Sequence, residues 1–373
     1  MASVSVIVPI FNGVAFLPSF FDSLNAALPE NTQLILVDDG STEPVWDAVP
    51  QFPRAESVVR LRNDVNCGYA VAVNRAFEAA TNEVVVQLNT DLVLDRECIN
   101  AMISLIEREE RVGIVGSKLV FPTTGLVEHV GMAFGNYTKP KIFLELPPSH
   151  PLCDKTRELQ IMTGATVAMT RRVLDRLGPL EEEYFNQNED IEHCLLALEY
   201  GFRNFVCADS VAHHWKSHSG PARFARRSPG EAMFWSRWGS RYRVDLDRFV
   251  DEALDHVLSE DPDLQAVPFQ VLDLSRGPDQ ALVLERIGRR WPGIEARIQQ
   301  FRQTNNPAER LSLPLLLPHW LVHEPTPYLY VVDSYRELAE NALWFDTRQR
   351  LVTDELVVDL KGVAIQTSRA GLR

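Results

Sequence analysis

The stretch Val84–Asp95, VVVQLNTDLVLD, sets an amide and a carboxylate, Asn89 and Asp91, two residues apart at the end of an apolar run. Side chains alternate faces along a strand, so this spacing points both oxygens the same way. In open α/β sheets, ligands bind outside the carboxyl ends of the strands. Two hard oxygen donors there suit a Mg2+ or Mn2+ ion that also binds substrate phosphates. The bland alternative is that Asp91 opens a turn, as Asp often does. Asn12, Asp38 with Asp39, and Asn63 with Asn66 close three other apolar runs in the same manner. Acids accept hydrogen bonds from base and ribose donors, and amides can both accept and donate. Each of these residues alone fits a cap or a turn; polar groups in four successive loops fit a nucleotide site.

These residues need elements to carry them. Ser3–Ile10, Gln33–Val37, Val58–Leu61 and Val84–Leu88 are β-branched or apolar runs that read as buried strands. Phe16–Leu28 and Tyr69–Ala80 carry apolar residues at helical spacing. Strands alternating with helices predict parallel βαβ units and a doubly wound sheet. The loops after the strands then share one edge. Neither a GxGxxG fingerprint nor a GxxxxGK[ST] phosphate loop is present. The phosphates must be neutralised another way, which favours a metal at Asp91 and a sugar-nucleotide enzyme over a dehydrogenase or an ATPase.

The chain has 373 residues, enough for more than one domain at about 150 residues each. An apolar content of 45% is ample for a core. The net charge of −14 argues against nucleic acid and against general binding to an anionic membrane. Cys67, Cys98, Cys153, Cys194 and Cys207 are scattered and form no CxxC pair, which suits a reducing cytoplasm and opposes a thiolate zinc site. The uncharged residues 1–21 are punctuated by Pro9, Asn12, Gly13 and Pro18, so they read as strand, turn and helix start rather than a membrane span. Leu311–Val322, with Pro314, Pro318 and His319, is too short and broken to span a bilayer.

VSVIVPIFNG, LILVDDGST, RNDVNCGYAVAVNRAFEAA and VVVQLNTDLVLD, in this order, resemble the family 2 glycosyltransferases and their GT-A fold. The likeness continues through VGIVGSKLVFPTTGLVEHVG, MTGATVAMTRRVLDRLGPLEEEYF, NEDIEHCLLALEYGF and DSVAHHWKSHSG, and covers residues 3–245. It is greatest to the members that build bacterial polysaccharides, among them rhamnosyl- and galactofuranosyl-transferases. The resemblance implies an α/β fold: a Rossmann-like nucleotide-binding sheet, mixed but mainly parallel, with flanking helices. Residues 1–248 form the expected catalytic domain.

The resemblance also implies roles. Asp38 matches the acid that contacts the nucleotide base, with Pro9, Phe11 and Asn12 beside it. Asp39, Asn63, Asn66, Gly68, Asn89 and Gly164 complete the expected nucleotide-sugar site; small residues around Gly164 let a ligand approach the backbone. Asp91 matches the metal-binding acid, and Asn89 occupies the first position of that motif, where many members carry Asp. An amide oxygen is a weaker ligand than a carboxylate. His213 matches the family histidine near the metal, in preference to His214; adjacent strand residues face opposite ways, so one of the two points into the site. Asn188 reads as an N-cap, with Glu189 and Asp190 in the first helical turn. Transfer to a hydroxyl with inversion needs a carboxylate to take the proton. Relatives use the acid matching Asp190, and Glu189 supports it. Arg223, Arg226, Arg227, Arg237, Arg241 and Arg243 cluster with only Glu231 opposing them locally. They read equally as a solvated helix face or as a site for a diphosphate or anionic acceptor.

Residues 249–373 lie beyond the resemblance and are expected to form a small α/β accessory domain for oligomerisation or acceptor selection. Leu258–Pro268 reads as a linker, Phe269–Leu274, Tyr328–Val332 and Leu356–Leu360 as strands, and Ala281–Arg290, Ile294–Phe301 and Ser334–Trp344 as helices. His319 and His323 are four apart, but flanking prolines oppose a continuous helix, so no metal site is expected there.

The expected function is thus an inverting, metal-dependent glycosyltransferase of hexosyltransferase type. It moves a sugar from a UDP- or dTDP-sugar to a hydroxyl of a glycan or lipid-linked acceptor. Mn2+ or Mg2+ is the expected cofactor. A cytoplasmic location, with peripheral contact at the inner face of the membrane, and homo-oligomerisation accompany it. A non-catalytic sugar-nucleotide-binding subunit is the alternative. A sugar-1-phosphate nucleotidyltransferase is disfavoured, because Val8–Phe16 has one glycine and no basic residue.

Overall fold

The structure is a computed structural model that describes residues 2–184, 186–215, 227–294, 298–300, 325–336, 338, 343–352 and 354–367. Arg223, Arg226, the run Leu311–Val322, His323 and part of Ser334–Trp344 lie outside the described residues. The chain divides into two compact units. The first comprises Met1–Met132 with Glu145–Tyr242, and the second Ala133–Leu144 with Arg243–Arg373.

The first unit runs β1 (Val4–Ile10), α1 (Leu17–Ala27), β2 (Thr32–Asp38), β3 (Ala55–Arg62), α2 (Tyr69–Ala79), β4 (Val84–Leu88), β5 (Leu92–Leu94) and α3 (Cys98–Arg108). It continues with β6 (Val112–Val120), β7 (Val127–His129), β8 (Arg157–Leu159), β9 (Thr166–Thr170), α4 (Arg171–Leu177), α5 (Glu189–Glu199), β10 (Arg203–His214) and α6 (Arg227–Trp238). The strand order is β3-β2-β1-β4-β9-β6-β10-β5, with β7 beside β6 and β8 beside β10. β3, β2, β1 and β4 are parallel neighbours. β9 runs antiparallel to β4 and β6, while β10 returns parallel to β6. The sheet is mixed and mainly parallel, as expected of the GT-A fold.

Alternation explains why both faces are covered. Val4, Val6, Val8 and Ile10 of β1 share a core with Leu34, Leu36, Val84, Val86 and Leu88. Leu17, Phe20, Phe21 and Leu24 of α1 and Ile99, Met102 and Ile103 of α3 close that core. The opposite parity, Ile7, Ile35, Val37 and Val85, is equally buried, and α2 packs on β1 and β2. A parallel strand buried on both faces must be apolar throughout, as these are. Each fully buried aliphatic or aromatic side chain contributes about 1.5–3 kcal/mol. Pro9 lies inside β1, past Ile7, where the pairing with β4 ends. Its missing N–H therefore breaks no bond on that side. β3 is the sheet edge, and its exposed Glu56 and Arg62 blunt it against further pairing.

The second unit contains α7 (Leu246–Glu260), β11 (Gln270–Asp273), α8 (Gln280–Arg290), β12 (Ile298–Gln300), β13 (Tyr328–Val332), α9 (Leu343–Leu351), β14 (Leu356–Asp359) and β15 (Ala364–Thr367). Its strand order is β12-β11-β13-β14-β15, with β15 antiparallel and the others parallel. Two local expectations change. Ile294–Phe301 supplies a strand rather than a helix, because Ile298–Gln300 pairs with Val271–Asp273, and tertiary pairing overrides local propensity. Leu258–Pro268 is no open linker: α7 continues through Glu260, and Leu264 is buried with its carbonyl accepting the Trp291 indole N–H at 2.9 Å. No helix among the described residues is long and apolar enough to cross a membrane.

Candidate functional site

Because β1 to β4 are parallel, the loops that follow them share one edge, and they interlock. Asp38 is fully buried; its carboxylate accepts the Ser41 N–H at 2.8 Å and pairs with the Arg62 guanidinium. Asp39 accepts from Asn63 Nδ2 at 2.7 Å, Cys67 N at 3.0 Å and Gly68 N at 2.9 Å. Asn63 in turn accepts from Arg75 at 2.6 Å. Asn12, left-handed at φ 53°, donates its backbone N–H to Ser41 Oγ at 2.8 Å. Its side-chain oxygen accepts from Thr42 N at 2.9 Å and Glu43 N at 3.2 Å. Of the expected nucleotide contacts, Asp39, Asn63 and Asn12 thus hold the loops together through their own side chains. Pro9 is buried in its strand, whereas Phe11 and Asn66 are exposed at the loop surface. Gly68, at φ 101°, opens α2 in a conformation that suits glycine.

The expected common direction of Asn89 and Asp91 is not what forms. β4 ends at Leu88, so strand alternation no longer governs the next residues. Asn89 Oδ1 accepts the Tyr69 hydroxyl at 2.8 Å. Asp91 instead faces His214: Asp91 Oδ2 lies 3.4 Å from His214 Nε2, and His214 Nδ1 lies 3.3 Å from Oε2 of the buried Glu128. The two carboxylates raise the His214 pKa above its usual value, outweighing the burial that lowers it. The expectation of His213 is corrected. Register pairs His214 with Leu92 and His213 with Val93, so the alternation along β10 turns His213 away to Asp95, at 3.6 Å. The backbone N–H of Trp215 closes the corner on the Asp91 carbonyl at 2.9 Å.

The Asp91–His214 pair offers one carboxylate oxygen and one imidazole nitrogen. Among the described residues no three acidic, histidine or cysteine side chains gather as an all-protein cage. Such a donor set fits a divalent cation bound largely through substrate oxygens, with Asp91 and His214 as the protein's share.

Gly164 and Ala165 lead into β9. Gly164 N donates to Asp190 Oδ2 at 2.7 Å, and Asp190 Oδ1 accepts the Ile191 N–H at 2.8 Å. A Cβ on Gly164 would sit 2.8 Å from Asp190 Cβ, so glycine permits this approach. Asn188 precedes α5 at the N-cap position but in the left-handed region at φ 64°, and its side chain makes no cap bond. Asp190 is half-buried and Glu189 buried. Burial foremost, then the Glu189 and Asp190 carboxylates, holds the Tyr69 hydroxyl well above its usual pKa. Tyr69, Gln87, Glu128 and Arg62 were absent from the sequence expectations, and His214 was named there only as the second choice to His213. Gln87, polar in an otherwise apolar strand, was the one local signal for the first four.

Arg237 and Arg241 do not form an open anion site. Arg237 pairs with Glu181 at 2.7 Å and Glu183 at 3.2 Å, and Arg241 pairs with Glu199. These partners are distant in sequence, which is why Glu231 alone was visible as an opposing charge.

The description "Glycosyl transferase family 2" matches residues 5–178. The O-antigen biosynthesis protein RfbC of Myxococcus xanthus is 30% identical over 242 residues, 62% of this chain and 18% of that protein. The chain thus spans well under two thirds of that relative. The N-acetylglucosaminyl-diphospho-decaprenol L-rhamnosyltransferase of Mycobacterium tuberculosis is 25% identical over 227 residues, 54% of this chain and 73% of that one. Among solved structures, the mannosyltransferase PcManGT of Pyrobaculum calidifontis, in complex with GDP-Man and Mn2+, superposes with a TM-score of 0.51 at 17% identity. It covers 93% of this chain and 86% of that chain, a likeness of fold. With its matching motifs carried on a GT-A sheet, the stretch 5–178 of the chain is a glycosyl transferase family 2 region.

Proposed function

We propose that the chain transfers a sugar from a UDP- or dTDP-sugar to a hydroxyl of a glycan or lipid-linked acceptor, with inversion. The observation that carries this is the gathering of Asp91–His214 and Asp190–Gly164 at the strand ends, joined through residues of β4 and the start of α2. Asp91 and His214 would hold Mn2+ or Mg2+, which when bound offsets negative charge on the donor diphosphate. Asp190 accepts the acceptor's hydroxyl proton while that oxygen bonds the anomeric carbon and the bond to the diphosphate breaks. The backbone N–H groups of Gly164 and Ile191 hold this carboxylate in place, one on each oxygen. Asp38 with its loop partners shapes the base pocket, with Phe11 and Asn66 at its surface. Rhamnosyl transfer in polysaccharide assembly is the specific chemistry that the Mycobacterium relative supports. Residues 1–248 act as the catalytic part, and 249–373 serve oligomerisation or acceptor choice, in a cytoplasmic protein with peripheral membrane contact.

Thermal unfolding with UDP, dTDP and their sugars, with and without Mn2+, tests this. Ligand at a hundred times its Kd adds about 2.7 kcal/mol of stability. A shift with one nucleotide that grows with Mn2+ is expected; no shift with any of them overturns the proposal.

A further inference from the structure

The end of β4 and the Asp190 loop are tied together by two side chains to which no part has yet been given. Gln87 stands in an otherwise apolar strand and is buried. Its amide has two hydrogens and uses both: Nε2 donates to the Tyr69 hydroxyl at 2.8 Å and to the Gly164 carbonyl at 2.9 Å. The Tyr69 hydroxyl has one hydrogen. Asn89 Oδ1 lies 2.8 Å away and the Gly164 carbonyl 3.4 Å away, and Gln87 already serves the latter, so the proton goes to Asn89. Gly164 then presents its N–H to Asp190. Each bond has one donor and one acceptor, and the set closes.

We propose that Tyr69, seated by Gln87, is a positioning residue that fixes the spacing between the Asn89–Asp91 turn and the Asp190 carboxylate. This rests on the assignment of Asp190 as base. Tyr69 acts through Asn89, to which it donates, and through Gln87, which holds both the Tyr69 hydroxyl and the Gly164 carbonyl. It also accounts for an amide at position 89. Asn89 accepts from Tyr69 without adding a fourth carboxylate beside Glu189, Asp190 and Asp91. Gly164 is the hinge of the device, because a Cβ there would meet Gln87 Nε2 at 3.4 Å as well as Asp190.

Tyr69→Phe removes the hydroxyl alone, and Gln87→Leu removes its seat. Labelling with 13C-threonine and 15N-glycine isolates the Thr163–Gly164 and Thr124–Gly125 amides. In the full chain, Tyr69→Phe should shift the Gly164 amide signal and speed its hydrogen exchange about ten-fold or more. Asp190→Asn, which alters the acceptor of that N–H, should move the same signal. Thr124–Gly125 should not respond to either. Nucleoside diphosphate release from UDP-glucose, UDP-galactose, UDP-N-acetylglucosamine and dTDP-rhamnose should show kcat falling about ten- to a hundred-fold in Tyr69→Phe, with KM little changed. Gln87→Leu should act in the same direction. A Gly164 amide unmoved by Tyr69→Phe but moved by Asp190→Asn overturns the proposal, whether or not any of these donors turns over. A kcat unchanged in Tyr69→Phe while Asp190→Asn abolishes turnover overturns it too. Wild-type turnover in Asp190→Asn instead removes the base assignment, a failure of the functional reading that the amide signals distinguish.

Discussion

His214 Nε2 meets Asp91 Oδ2 at 3.4 Å because β10 runs antiparallel to β5, with His214 paired to Leu92, the residue after Asp91. Asp91→Ala and His214→Ala should each abolish Mn2+-dependent binding of nucleoside diphosphate while the fold persists. His213→Ala should leave that binding near wild type. Isothermal titration of UDP and dTDP with and without Mn2+ separates these outcomes; equal losses from His213 and His214 would mean the register is wrong.

The same pair makes metal-free stability depend on pH. The folded-state pKa of His214 is raised from 6.5 by Asp91 and Glu128, so the folded protein binds the proton more tightly than the unfolded chain. The stabilisation is fully present below pH 6.5 and disappears as pH rises through the raised value. Urea unfolding of wild type and His214→Gln without metal should therefore show a gap that narrows as pH increases. A gap that widens reverses the sign and excludes the ion-pair account.

His193 has the opposite sign. Burial lowers its pKa from 6.5 to about 4, and the ring stacks on Phe77 while Nε2 meets the Gly178 carbonyl at 3.0 Å. The unfolded chain binds the proton first, so stability falls as pH drops from 6.5 toward 4, by about 3 kcal/mol in all. His193→Phe should flatten this part of the acid limb. Denaturation midpoints at pH 7, 6, 5 and 4.5 read it directly.

Asp190→Asn keeps size and hydrogen bonding but takes no proton at neutral pH. Donor and metal binding should stay near wild type while turnover falls by about 10²–10⁴-fold. Glu189→Gln should cost far less. Loss of turnover in Glu189→Gln alone would transfer the base to that residue.

Gly40 turns the Asp39 loop at φ +71°, and a Cβ there would lie 2.4 Å from the Val65 carbonyl carbon. Gly40→Ala should destabilise the protein by at least about 1–2 kcal/mol from the backbone conformation alone, and should weaken nucleotide binding by displacing the Asn63–Gly68 loop. Chemical denaturation with a nucleotide titration checks both effects.

The sequence by itself determined the alternation of strand and helix, the parallel order of the first four strands and the family. Those depend on local apolar periodicity and on loop residues adjacent in the chain. Asp38 and Asp91 stood out as candidates because they follow apolar strand runs, and Asp190 because it opens a helix within a motif that resembles the family's. The partners of those acids were not legible. His214 rather than His213 reaches Asp91 through the register of β10 on β5, and register is a property of pairing, not of either strand alone. Asn89 turned from the expected metal position to Tyr69 because β4 stops one residue before it. Arg237 was claimed by Glu181 and Glu183, tens of residues away in sequence, and Ile298–Gln300 became a strand only by meeting β11. Hydrogen bonds and ion pairs act over about 3–4 Å. A chain that has not yet folded does not reveal which of its distant groups will come that close.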